Sequence, residues 1–109
     1  MSHPSLSVIF PVHNEAAVLS EQIKSFLLQV KQAKLKIAEI ILVENGSTDR
    51  SWQLIESLCR QHRFIKSLRL PRASYGQALK TGLIAARDSI IFIFNIDFFD
   101  VNFIPQALP

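Results

Sequence analysis

Four short strand-like runs, each closed by a polar turn and followed by a segment of helical period, restrict this chain more than any other feature. The runs are Leu6 to Val12, Glu39 to Val43, Phe64 to Leu70 and Ser89 to Asn95. After the first, Val18, Leu19, Ile23, Phe26, Leu27 and Val30 recur on one helical stripe. After the second, Trp52, Ile55, Leu58 and Cys59 do the same in a helix expected from about Thr48 to His62. A third helix is expected from about Tyr75 to Arg87, with Leu79, Leu83 and Ala86 inward and Gly82 permitting close approach to a sheet. Strand and helix in strict alternation predict an α/β fold: a mainly parallel four-stranded sheet flanked by helices, half of a doubly wound architecture. With 109 residues, 49% of them hydrophobic, the chain suffices for one domain over residues 1–109 and one core.

In such sheets ligands bind at the carboxyl ends of the strands, where helix N-termini offer unpaired N–H groups to anions. Polar residues gather at those ends. Asn14 and Glu15 follow the first strand, Glu44 and Asn45 the second, and Asn95, Asp97 and Asp100 the fourth. The third ends in Pro71-Arg72, which suggests an edge strand away from the reaction centre. Asn14 is placed to cap the first helix and Ser47 or Thr48 the second. A crevice lined by carboxylates repels a bare diphosphate, so a divalent cation is the natural mediator, and hard oxygen ligands suit Mg²⁺ or Mn²⁺.

Several classes are set aside. No apolar stretch approaches the ~20 residues of a membrane span, and Met1-Ser2-His3-Pro4 lacks the features of a secretory signal. One cysteine, Cys59, allows no internal disulfide and fits a reducing cytoplasm; its place on the inward face of the second helix makes it core rather than nucleophile. The net charge is +3, with basic residues in Lys31 to Lys36 and Arg60 to Arg72 rather than in a stripe with aromatics, so they read as a solvated face and not as a nucleic-acid surface. His3, His13 and His62 lack zinc-ligand spacing, and neither a Walker A sequence nor G-x-G-x-x-G is present.

Four segments in order carry a family resemblance. They are Ser7-Val8-Ile9-Phe10-Pro11-Val12-His13-Asn14-Glu15, Val43-Glu44-Asn45-Gly46-Ser47-Thr48-Asp49, Tyr75-Gly76-Gln77-Ala78-Leu79-Lys80-Thr81-Gly82 and Phe92-Ile93-Phe94-Asn95-Ile96-Asp97. Together they resemble family 2 glycosyltransferases of the Rossmann-like GT-A fold, nearest to the subgroup that moves sugars from a nucleotide to a polyprenyl or dolichyl phosphate. The resemblance implies a nucleotide-sugar donor, inverting transfer and Mg²⁺ or Mn²⁺. It implies a nucleoside pocket lined by Pro11, His13 and Glu15, with Glu44 against base or ribose and Gly46 and Ser47 in the adjoining turn. Asp97 would meet metal and diphosphate. It also implies that these residues form the donor half, with the acceptor site and any catalytic base in a portion that would follow, and work in the cytoplasm or at its membrane surface.

The chain departs from the family pattern at Asn95, where the family usually has the first Asp of Asp-X-Asp. A neutral carbonyl there weakens a metal site unless Asp100 supplies the second charge; otherwise Asp97 to Asp100 is a capped turn leading to a short helix near Pro105. Phe98, Phe99, Phe103 and Ile104 are expected to lack their usual cover, with the sheet edge open to self-association.

Overall fold

The computed structural model describes residues 5–88 and 90–108. The expected first residue of the fourth strand, Ser89, and the segment Met1 to Pro4 lie outside the described residues. The elements follow in the order β1 (Leu6–Val12), α1 (Leu19–Gln32), β2 (Ile37–Asn45), α2 (Ser51–Gln61), β3 (Ile65–Leu70), α3 (Tyr75–Ala85), β4 (Ile90–Ile93) and α4 (Phe103–Ala107). All strand pairs are parallel, in the spatial order β3-β2-β1-β4. The order reverses between β1 and β4, so the switch point of the fold lies between their carboxyl ends.

Alternation along the central strands sorts their side chains between two cores. Leu6, Val8, Phe10 and Val12 of β1 join Ile40 and Leu42 of β2 on the face covered by α1 and α2. Ile9, Ile41 and Val43 point to the other face, against Ala78 of α3. Burial on both faces is why the middle of β2 reads as an unbroken apolar run and β1 as one interrupted only at Ser7. On the larger face Phe10 and Phe26 meet edge-on at 5.0 Å, and Phe99 closes over both, at 6.1 Å from Phe10 and 5.4 Å from Phe26. Each such aromatic pair contributes about 0.5–1.5 kcal/mol beyond burial.

The structure corrects several expectations. Helix α3 turns Ala78 and Gly82 to the sheet and leaves Leu83 exposed, because a side chain on Gly82 would meet Ile9 Cγ2 at 2.8 Å; the small residues face the close approach. Val18 is the exposed N-cap of α1 rather than part of its buried stripe. Helix α2 begins at Ser51, not Thr48, and β2 extends beyond the expected run at both ends. Phe99 and Ile104 are covered, whereas Phe98 and Phe103 are exposed as expected. Cys59 packs against the core, and burial pushes its thiol up against the opposing effect of the Ser67 hydroxyl.

Candidate functional site

The carboxyl ends of β1 and β2 are followed by two loops sewn together by side chains. Asn14 leaves β1 with φ 52°, in the left-handed region that Asn tolerates better than most residues. Its backbone N–H donates to Ser47 Oγ at 2.9 Å, and its Oδ1 accepts the N–H of Thr48 at 2.8 Å and of Asp49 at 3.3 Å. The Glu15 N–H donates to Ser51 Oγ at 3.0 Å and the Ala16 N–H to Asp49 Oδ2 at 3.1 Å. His13 Nδ1 donates to the Asn45 carbonyl at 2.7 Å, and Asn45 Oδ1 accepts the N–H of Ser74 at 2.7 Å, which ties in the loop before α3.

These bonds overturn two expectations. Neither Asn14 nor Ser47 nor Thr48 caps the helix assigned to it: α1 and α2 start after Val18 and Arg50 with no side-chain cap bond, and the polar side chains bridge loops instead. The turn after β2 is also not an open anion cradle. Its N–H groups at Ser47, Thr48, Asp49 and Ser51 already donate to Glu44, Asn14 and Asp49. Burial alone would raise the Asp49 carboxyl, but the Ser51 hydroxyl and N–H and the Ala16 N–H outweigh it and hold it below its ordinary value.

Glu44, Gly46 and Ser47 line one cavity of about 470 Å³ together with Thr48, Arg69, Leu70 and Pro71. Strand β3 is an edge strand, as expected, and its carboxyl end borders this cavity. Glu44 is 1% exposed; its Oε1 accepts the Ser47 N–H and its Oε2 lies 3.5 Å from Arg69 Nε. A buried carboxylate needs such partners. Gly46 has φ 64°, and a Cβ there would lie 2.8 Å from Ala73 Cα, so the turn admits only glycine without strain. Arg69 was missed in the sequence. Its one signal was the need of Glu44 for a counter-charge, which register supplies directly, Glu44 lying opposite Arg69.

A second grouping forms at the switch point. The Glu15 carboxyl is held above its ordinary value, chiefly by burial and further by the negative charges of Asp97 and Asp49, with His13 opposing. Asp97 is exposed in a tight turn in which the Phe98 N–H donates to the Asn95 carbonyl at 3.3 Å, and α1 holds the turn through Gln22 Nε2, which donates to the Ile96 carbonyl at 2.8 Å. Asp100 Oδ1 accepts the Asn102 N–H at 3.0 Å, the capped turn before α4. Pro11 is buried between its neighbours in β1, opposite Val43, and His13 is exposed; neither lines the cavity.

Among the described residues no three His, Cys, Asp or Glu side chains gather as a metal-binding group. The oxygen donors of Asn95, Asp97 and Asp100 still suit a hard cation of the kind held by one or two carboxylates and completed by substrate phosphates.

A family model described as Glycosyl transferase family 2 matches residues 7–101. The chain belongs to this family. As a glycosyl transferase family 2 member it is 29% identical over 98 residues to "Probable glycosyltransferase YdaM" of Bacillus subtilis, covering 86% of this chain and 23% of that protein. It is 30% identical over 94 residues to the undecaprenyl-phosphate 4-deoxy-4-formamido-L-arabinose transferase of Pseudomonas fluorescens, covering 84% of this chain and 27% of that one. The fold matches the mannosyltransferase PcManGT from Pyrobaculum calidifontis, solved in complex with GDP-Man and Mn²⁺, with a TM-score of 0.73 at 24% identity over 88% of this chain and 28% of the other. That likeness is one of fold, and it identifies the sheet as the Rossmann-like GT-A type. The chain thus spans about a quarter of the length of these proteins. Among the described residues no helix is long and apolar enough to cross a membrane.

Proposed function

We propose that the chain supplies the donor-binding part of an inverting glycosyltransferase, taking a nucleotide sugar with Mg²⁺ or Mn²⁺. The observation that carries this reading is the placement of Glu15 after β1 and Asp97 after β4, on the two sides of the switch point, in a fold whose solved neighbour was captured with GDP-Man and Mn²⁺. The nucleoside occupies the cavity beside Glu44, Gly46 and Ser47; Pro11 and His13 lie outside its lining, and His13 acts on it only by holding the Asn45 carbonyl at the end of β2. Asp97, with Asn95 and Asp100 nearby, holds the cation and faces the diphosphate. When bound, the cation offsets the charge that develops on the departing nucleoside diphosphate. The residues of this chain orient the donor, and their interlocked loops keep the pocket formed before binding.

A polyprenyl phosphate at the cytoplasmic membrane surface is the acceptor in this reading, supported by the undecaprenyl-phosphate transferase among the relatives. A phosphate acceptor is already ionised, so its attack requires no general base. The competing reading is a non-catalytic nucleotide-binding or structural remnant of this fold, favoured by Asn95, a neutral carbonyl where the family usually has a carboxylate. Self-association would use the open edge of β4, where Ile93 is 39% exposed, and sedimentation velocity tests it.

Calorimetric titration with nucleoside diphosphates, in Mn²⁺ and in chelator, separates the readings. Tighter binding with Mn²⁺ supports the donor site. Equal affinity in both removes the metal, and no binding supports the structural remnant.

A further inference from the structure

We infer that Arg69 reads the base of the nucleotide by donating to a keto oxygen, and that Glu44 acts on the ligand only through Arg69, as a positioning residue. This rests on the reading of the cavity as a nucleoside site.

Glu44 has little left to offer a ligand. It is 1% exposed, one oxygen takes the Ser47 N–H, and the other faces Arg69 Nε at 3.5 Å. The Arg69 side chain is 56% exposed and lines the cavity. Its orientation is set from two sides. Glu44 draws Nε from the neighbouring strand, and the guanidinium carbon lies 4.9 Å from the centroid of the Trp52 ring, within cation–π range. A long cationic side chain braced in this way loses less freedom when it binds. The pairing at Nε leaves both Nη amino groups as donors.

Charge and shape decide what those donors meet. Among the described residues Glu44 and Arg69 are the only ionisable ones in the lining, so their charges offset each other, and Leu70 and Pro71 supply apolar wall. A lining without net charge suits a flat neutral ring better than a diphosphate. The guanidinium donates and never accepts. Guanine presents the adjacent acceptors O6 and N7, and uracil presents O4, whereas adenine and cytosine place amino donors at the corresponding positions. A donor-only fork aimed at that edge therefore selects guanine, through O6, and uracil, through O4, over the bases that carry an amino group there.

Calorimetry with GDP, UDP, ADP and CDP, with inorganic pyrophosphate as the base-free probe, tests the inference. The expected result is that GDP and UDP bind about 10-fold or more tightly than ADP and CDP. Arg69→Gln, whose amide both donates and accepts, should remove that preference and leave pyrophosphate binding unchanged, and Arg69→Lys should retain part of it. Glu44→Gln should reproduce Arg69→Gln, with no further loss in the double variant, because the two act as a unit. A thermal melt of each variant confirms folding. The inference is overturned if Arg69→Gln keeps the base preference, or if it weakens pyrophosphate and all four nucleotides alike, which would make Arg69 a phosphate contact. Wild-type protein that binds none of these ligands removes the nucleoside reading and this inference with it. Wild-type binding without base preference removes the inference alone.

Discussion

Asn14 and Thr48 are joined by a hydrogen bond of 2.8 Å from the Thr48 N–H to the Asn14 side-chain oxygen, across the gap between the loops that follow β1 and β2. The same Asn14 turns its own chain through φ 52°. One residue thus ends a strand and fixes the neighbouring loop, so the shape of the candidate site depends on a side chain that is itself exposed.

Replacing Asn14 separates the two duties. Asn14→Ala loses both the acceptor and the tolerance of positive φ, with an expected cost of about 1–3 kcal/mol. Asn14→Gly regains only the backbone freedom and should fall between Ala and wild type, while Asn14→Asp should lie close to wild type. Urea denaturation of the three variants checks the order, and equal stability of Ala and Gly would show that the left-handed backbone contributes nothing.

Glycine positions in the chain should respond in opposite directions. Gly46→Ala places a Cβ 2.8 Å from Ala73 Cα at φ 64°, so it should destabilise the fold by at least about 1–2 kcal/mol. Gly76→Ala, in α3 with no atom within 4 Å of the new Cβ, should instead stabilise it by about 0.5–1 kcal/mol. Thermal melts of both variants provide the comparison.

A pH dependence is expected from the opposite end of the sheet. Glu39 is 1% exposed and receives Ser7 Oγ at 2.6 Å, Lys66 Nζ at 2.8 Å and the Arg87 N–H at 2.6 Å. Burial by itself raises this carboxyl, but Lys66, Ser7 and Arg87 together hold it below its ordinary value. A depressed folded pKa contributes stability above the unfolded carboxylate pKa and loses it as pH falls through the folded one. The melting temperature should therefore fall on acidification through and below the ordinary glutamate range. Glu39→Gln should lower stability at neutral pH and flatten that acid slope; an unchanged slope would assign it to other carboxylates.

The proposed metal site yields a test by non-additivity. Asp97→Ala should abolish the Mn²⁺ dependence of nucleoside diphosphate binding while leaving nucleoside affinity unchanged. Asn95→Asp should tighten Mn²⁺ in the presence of nucleotide, unless Asp100 already supplies the second charge. Calorimetry on Asn95→Asp, Asp100→Asn and the double variant decides, because residues that share one ion are coupled. Strict additivity would make this segment a turn only, the role Asp100 has in accepting the Asn102 N–H.

What could be read from the chain alone was whatever depends on neighbours in sequence. The bounds of β1 at Leu6 and Val12, the inward stripe of Leu19, Ile23, Phe26 and Val30, and the strand–helix alternation all follow from local periodicity, because burial on a face leaves its period in the chain. The close approach at Gly82 was legible for the same reason, since only a missing side chain permits it. Other features needed partners far along the chain. Which face of α3 meets the sheet was decided by Ile9 and Val43, whose bulk admits Ala78 and Gly82 but not Leu83. Asn14 and Ser47 looked like helix caps because their side chains suit any nearby N–H group; the N–H groups within reach were those brought alongside by parallel pairing of β1 and β2. The Glu44–Arg69 pair arose from strand register, which sets two charges opposite each other without leaving a local trace of the pairing. Periodicity records burial, whereas contacts between distant residues are settled only when the sheet forms.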